Sequence, residues 1–198
     1  MKHRVSKYAL CVAALASLVS LAAFAKPHLL ENIPLMWKPT NPLSSGVVQS
    51  TSVKVSFAPL KDVRQNPQLI AENREDQTPK PVTTKDDVGA FVATHMREIF
   101  DRNGVTTVDS GGDAIVSGEV RQFFVEETGT YQGQIALHVT VHGPSGKMLW
   151  EGSTSGTNSR FGRSYKAENY YETLSDSLID ATTNLLKDPE FVRALGHT

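Results

Sequence analysis

Read in steps of two, Tyr131, Gly133, Ile135, Leu137, Val139 and Val141 alternate with Gln132, Gln134, Ala136, His138, Thr140 and His142. That is the period of a strand with one covered face and one open face. Turn signals bracket it, Glu126-Glu127-Thr128-Gly129-Thr130 before and Gly143-Pro144-Ser145-Gly146 after. Ile115 to Val125 forms the strand on one side, and Met148, Trp150, Gly152, Thr154 and Gly156 alternate along the strand on the other, so the three make a meander. Upstream, Ile33, Leu35 and Trp37 alternate as a short edge strand, where Pro34 and Pro39 are tolerated. Val53, Val55 and Phe57 mark a further strand, and the polar stretch Val63 to Thr83, with Pro67, Pro79 and Pro81, reads as a long loop.

Two segments change to a helical period. Thr84-Lys85-Asp86-Asp87 has the form of a capping box, with the Thr84 hydroxyl on a first-turn amide and Asp87 reaching back. Val88, Phe91, Val92, Met96, Ile99 and Phe100 then make one apolar stripe that ends at Asn103-Gly104. Asn169-Tyr170-Tyr171-Glu172 gives a similar start to a stripe of Tyr171, Leu174, Leu178, Ala181 and Leu185. After it, Asp188 and Pro189 cap and start a short terminal helix. Each helix has one stripe and the central strand has one apolar face, so both helices belong over Ile135, Leu137, Val139 and Val141. The expected fold is α+β, a two-layer α/β sandwich in the order β-α-β-β-β-α. Its mixed, mostly antiparallel sheet has four or five strands, with two helices on one face. If the Val53 and Ile115 strands are parallel neighbours, the first helix is a right-handed crossover between them.

The first residues alter the picture of where this fold resides. Lys2, Arg4 and Lys7 precede an apolar run from Tyr8 to Ala25 that ends Ala23-Phe24-Ala25, the small-residue spacing of a signal-peptidase site. Residues 1–25 therefore read as a signal peptide, 26–52 as an extended Pro-rich segment with the edge strand, and 53–198 as a single domain. An uncleaved anchor is one alternative, since the run approaches the shortest spanning length. Lipidation at Cys11 is another, disfavoured by Leu10 where a small residue is wanted. Loss of the segment removes three of the 20 basic residues and none of the 21 acidic ones. The exported chain then carries a net charge of about −4, and nucleic acid is not an expected partner. Cys11 is the only cysteine, so the exported chain forms no disulfide.

Candidate chemistry is sparse. Gly152-Ser153-Thr154-Ser155-Gly156 has the outline of a nucleophile elbow, but it holds Thr where Ser belongs and continues as a strand instead of turning into a helix. His138 and His142 share a face but stand roughly 13 Å apart along a strand, too far to share one ion. A third ligand near either one keeps a metal-dependent hydrolase open as an alternative. His95 falls at the edge of the first helical stripe, and Asp86 and Asp87 serve as caps. Asp109-Ser110-Gly111-Gly112-Asp113 lacks the further carboxylates of a calcium loop. No catalytic residue, metal site or cofactor is expected. The candidate partner-binding residues are Gln132, Gln134, His138, Thr140 and His142 on the open face. Phe123 and Phe124 join them as adjacent aromatics on opposite faces, one of which needs cover or a partner. Asp62 and Arg64 form a loop-ordering ion pair or touch that partner. Arg160-Phe161-Gly162-Arg163-Ser164 is a small basic loop before the final helix.

Several short motifs together carry a likeness: Ile33-x-Leu35-x-Trp37-x-Pro39, Val53-x-Val55-x-Phe57 leading to Asp62-x-Arg64-x-Asn66, an Asp-started strand at Asp113, Gly146-x-x-x-Trp150-x-Gly152 and the Asp188-Pro189 close. Over nearly all of the mature chain they resemble the YajG-like family of bacterial envelope lipoproteins. The resemblance implies a small two-layer α/β domain, similar in plan to auxiliary proteins of envelope lipid and lipopolysaccharide transport. It brings no catalytic residues, and the chain departs from it in lacking a convincing lipobox. The expectation is an exported, periplasmic, non-enzymatic domain that binds an unknown envelope protein or lipid, with membrane association left open. An accessory subunit of a lipid or lipopolysaccharide transport system is the alternative. Mass spectrometry of the protein from its host is expected to find Lys26 as the first residue. A diacylglycerol adduct on Cys11, or an intact residue 1, overturns that reading.

Overall fold

Three long strands set the frame of a computed structural model that describes residues 29–43, 45–48 and 52–196. β6 (Ala114–Glu127), β7 (Thr130–His142) and β8 (Met148–Phe161) form the expected antiparallel meander. β7 pairs with β6 along nearly its whole length. The other edge of β6 is shared by three short parallel strands: β1 (Lys54–Phe57), β2 (Lys61–Asp62) and β3 (Leu69–Asn73). β4 (Lys80–Thr83) extends the sheet beside β3, and β5 (Thr106–Val108) extends it beside β1. Among the described residues the sheet thus has eight strands, against the four or five that the alternation predicts.

The extra strands lie where the sequence offers no period. β2 and β5 are too short to show one, and the expected loop from Val63 to Thr83 contains the β3–β4 hairpin. Pro81 sits on β4, outside the centre of the sheet, where a missing N–H is tolerated.

Between β2 and β3 no strand covers β6. Arg64 takes that place: its guanidinium donates to the Phe123 carbonyl at 3.0 Å, to Leu69 O at 2.8 Å and to Pro67 O at 2.5 Å. Its other two donors hold Asp62 in a fork at 2.9 and 2.7 Å. All five donors of the guanidinium are engaged, and the side chain is 8% exposed. Directly opposite, Arg121 is an extra residue in β6, because Val120 faces Leu137 while Gln122 faces Ala136. This bulge turns both Val120 and Phe123 toward the helices, where strict alternation would have sent Phe124 inward.

All the described helices lie on one face. α1 (Val88–Arg102) meets the sheet through Phe91 and Phe123, whose ring centroids are 6.0 Å apart. α2 (Ala167–Leu186) lies so near the sheet that a Cβ on Gly156 would fall 2.1 Å from Ala181 N. α3 (Pro189–Gly196) packs Phe191 on Trp150 of β8 at 5.0 Å. Asp188 caps α3 as expected, accepting from the Glu190 and Phe191 amides. The other caps differ from expectation. Asp87 is itself the N-cap of α1, accepting from Ala90 N at 3.0 Å, while the Thr84 hydroxyl accepts from Asp86 N. α2 begins two residues before Asn169 and has no side-chain cap.

The predicted edge strand at Ile33 to Trp37 does not form. Leu30 bridges Val82 and Ile33 N donates to Thr83 O, after which the chain leaves the sheet and crosses the helices as a strap. Side chains just before α1 and on α2 supply the acceptors that a strand partner would have given. Leu35 N donates to Asp86 at 2.7 Å, Lys38 N to Ser175 at 2.9 Å, and Thr40 N and Asn41 N to Asp176 at 2.9 and 3.0 Å. Pro34, Pro39 and Pro42 present no donor to satisfy. Trp37 stacks on His95 with ring centroids 4.2 Å apart. Enclosed by sheet, strap and neighbouring helices, α2 buries far more than the single stripe its periodicity suggests. No helix among the described residues is long and apolar enough to cross a membrane.

The outer edge of β8 is closed in its middle by α2. Asp180 accepts from Thr157 N at 2.9 Å, and Asn184, one turn further on, donates to Ser155 O at 3.0 Å.

Replacing Arg64 by Ala leaves the Asp62 carboxylate and three backbone carbonyls without their partner. Urea unfolding is expected to show a loss of about 3–5 kcal/mol, with Arg64→Lys recovering only part of it. A loss below about 1 kcal/mol would refute the structural role of the fork.

Candidate functional site

Alternation along β6, β7 and β8 gives the face opposite the helices its chemistry. Gln132 and Gln134 are exposed there, and His138, Thr140 and His142 are half-buried among their cross-strand neighbours. Gln122 donates to Gln134 across β6 and β7 at 2.6 Å, and the Ser117 and Thr140 hydroxyls meet at 2.8 Å. On the β8 side His138 faces Ser153 directly. Its Nε2 lies 2.8 Å from Glu151 Oε1 and its Nδ1 3.4 Å from Ser153 Oγ.

Serine, histidine and carboxylate in that sequence of contacts resemble a hydrolytic triad, but the surroundings lack its other parts. The main-chain N–H groups of a strand lie in the plane of the sheet, so none converge above Ser153 to hold an oxyanion. The three side chains form a polar cross-strand ladder. His142 lies beyond this ladder, one row past Thr140, beside Met148. Among the described residues no group of three or more His, Cys, Asp or Glu is placed to hold a metal ion.

The two adjacent phenylalanines separate. Phe123 is fully buried against Phe91, with the Arg64 guanidinium 5.8 Å from its ring centre, so it is a core residue and not available to a partner. Phe124 lies on the open face, partly exposed beside Gln134. Asp62 and Arg64 form the ion pair described above, and the engaged guanidinium leaves no donor for a partner.

Phe161 was legible only as part of a basic loop. β8 in fact runs on to it, pairing it with Thr130 at the open-face end of the sheet, and it is 88% exposed. Tyr131 and Gly162, the residues beside this pair, turn to the helix side.

Glu127 fixes the loop that follows Phe161. It is a fully buried carboxylate at the end of β6, accepting from Ser164 N at 3.0 Å, Tyr165 N at 3.2 Å and the Tyr170 hydroxyl. Burial pushes its pKa up. Hydrogen bonds from Tyr170, Asn73 and Tyr131 and from the Tyr165 backbone outweigh that and hold it below the ordinary 4.5. Burial, with Glu127 beside it, raises Tyr170 above the usual tyrosine range, so the pair stays carboxylate and phenol at neutral pH. In sequence Glu127 is indistinguishable from any turn glutamate.

Neither a family model nor a curated protein matches the chain. Solved structures similar to it include a Xanthomonas campestris protein of family DUF330, at 13% identity and a TM-score of 0.49 over 77% of this chain and 88% of that one. A PelC dodecamer from Paraburkholderia phytofirmans is similar at 14% identity and 0.47, over 73% and 93%. Lipoprotein GNA1162 from Neisseria meningitidis is similar at 10% identity and 0.36, over 57% and 87%. At these identities and scores the likenesses assign neither a family nor a function to this chain.

Because the folded-state pKa of Glu127 is depressed, its contribution to stability is complete above the unfolded value of about 4.5 and fades as pH falls toward the folded value. Glu127→Gln, which turns an amide N–H₂ toward donors, is expected to cost about 2–3 kcal/mol at pH 7. The gap between variant and parent in denaturant midpoint should hold from pH 7 to 5 and narrow below about pH 4.5. A gap unchanged at pH 3 would contradict the assignment.

Proposed function

We propose that the chain is an exported, non-enzymatic binding or accessory domain of the bacterial cell envelope and that the open face of β6, β7 and β8 is its ligand surface. One observation carries this reading: three helices cover one face of the sheet, while the other presents its polar side chains with no described element packed on them. The signal-like residues 1–25 support export. The ladder around His138 supports binding over hydrolysis, because it lacks oxyanion donors and an enclosing cleft.

The alternative, a lipid-transport accessory, would be favoured by an apolar cleft between helices and sheet. That space is filled by fully buried side chains, among them Phe123, Ile135, Leu137 and Leu178. An apolar groove of about 530 Å³ lies elsewhere, between Leu29, the β3–β4 turn at Pro79 and Pro81 of β4, and opens to solvent.

Photo-crosslinking in intact cells tests the surface. A crosslinker at Gln132 or Thr140 is expected to yield adducts with envelope components, and one at Thr94, on the outer side of α1, is not. Equal capture from Thr94, or none from the sheet face, would show that the ligand surface is elsewhere.

A further inference from the structure

The open face is divided by charge. Toward the β2 end it carries Glu119 and Arg121, paired along β6, and His138 and Glu151, in contact across β7 and β8. Toward the β6–β7 turn the rows change to amides and hydroxyls: Gln122 with Ser155, Gln134 with Thr157, and Gln132 with Ser159, each pair on one cross-strand row. On the three long strands the carboxylate in that half is Glu126, which shares Arg74 with Glu72 of β3 in the same row, at 2.9 Å to each. Phenylalanines stand on two sides of it, Phe124 along β6 and Phe161 at the end of β8. Their separation is two strand spacings across and four residues along, about 16 Å.

We propose that this half, where amides and hydroxyls outnumber charges, binds an uncharged glycan chain laid across the strands. Phe161 and Phe124 would pack against sugar ring faces, and the glutamine amides would read the hydroxyls. The proposal rests on the open face being the ligand surface and names the chemistry that surface would take. Amides and hydroxyls both donate and accept, as sugar hydroxyls do, so an extended array of them matches a polyhydroxylated chain without fixing a charge. An exposed aromatic ring offers the flat apolar area that the C–H face of a sugar requires. Other ligand classes fit less well. Nucleic acid needs a basic surface, and an acyl chain needs an enclosed apolar trough. An added peptide strand needs free main-chain groups, which a sheet face does not present.

Two linked experiments test it. The processed, ¹⁵N-labelled protein is titrated with chitohexaose and cellohexaose, and with a hyaluronan hexamer as the anionic control. The expected result is saturable amide shifts confined to residues around Gln122, Gln134 and Phe161 with the neutral hexamers, weakened about fivefold by Phe161→Ala. Phe161 is 88% exposed, so its loss leaves the fold intact. No saturable shift with either neutral hexamer, shifts elsewhere, binding of hyaluronan alone, or unchanged affinity in Phe161→Ala overturns the proposal. In cells, a crosslinker at Gln134 separates this failure from failure of the broader reading. Glycan adducts support the proposal, whereas protein or lipid adducts without glycan keep the open face as ligand surface and overturn the glycan. No adduct of any kind refutes the surface itself.

Discussion

β6 offers fourteen residues of hydrogen-bonding edge on each side, and only one side meets a strand of matching length. Main-chain groups left unpaired inside a protein are costly, so the other side must be covered piece by piece. β1, β2 and β3 cover most of it, and the Arg64 guanidinium covers the gap between them. An arginine suits that gap because its fork is rigid, its charge is answered by Asp62, and its donors can reach several carbonyls at once. The bulge at Arg121 lies at the same level of the strand and sends Phe123 under that guanidinium. Edge coverage and side-chain orientation are therefore settled at one place.

What could be read from the sequence follows from this. β7 shows its alternation because one of its faces meets helices and the other meets water along its whole length. The stripe of α1 and the Asp188 cap of α3 are visible for similar reasons, since each depends on residues next to one another in the chain. β2 and β5 depend instead on a distant partner, and two or three residues cannot express a period, while the prolines between Val63 and Thr83 give the β3–β4 hairpin the look of a loop. The strap was misread as an edge strand because Ile33, Leu35 and Trp37 do alternate. Nothing in that stretch reveals that Asp86, Ser175 and Asp176 await its amides.

The surface was legible in the same uneven way. Gln132, Gln134, His138, Thr140 and His142 lie on the face their parity predicts. The choice between Phe123 and Phe124 was not legible, because a single inserted residue reverses it. Phe161 was hidden for another reason: the strand runs five residues beyond Gly156, through Thr157, Asn158, Ser159 and Arg160, a stretch with no apolar alternation. Glu127 shows its role only when the loop after Phe161 returns to place two amides on its carboxylate.

The pair of side chains from α2 on the outer edge of β8 bears on how the molecule meets others. With Asp180 on the Thr157 amide and Asn184 on the Ser155 carbonyl, the middle of that edge is already answered from within the chain. A visiting strand could not pair along the whole of that edge and would meet two separate pieces of it. β8 thus offers no uninterrupted edge along which copies of the sheet could join into a ribbon. Association from above the strands, between side chains, leaves that edge undisturbed and can be saturated and reversed.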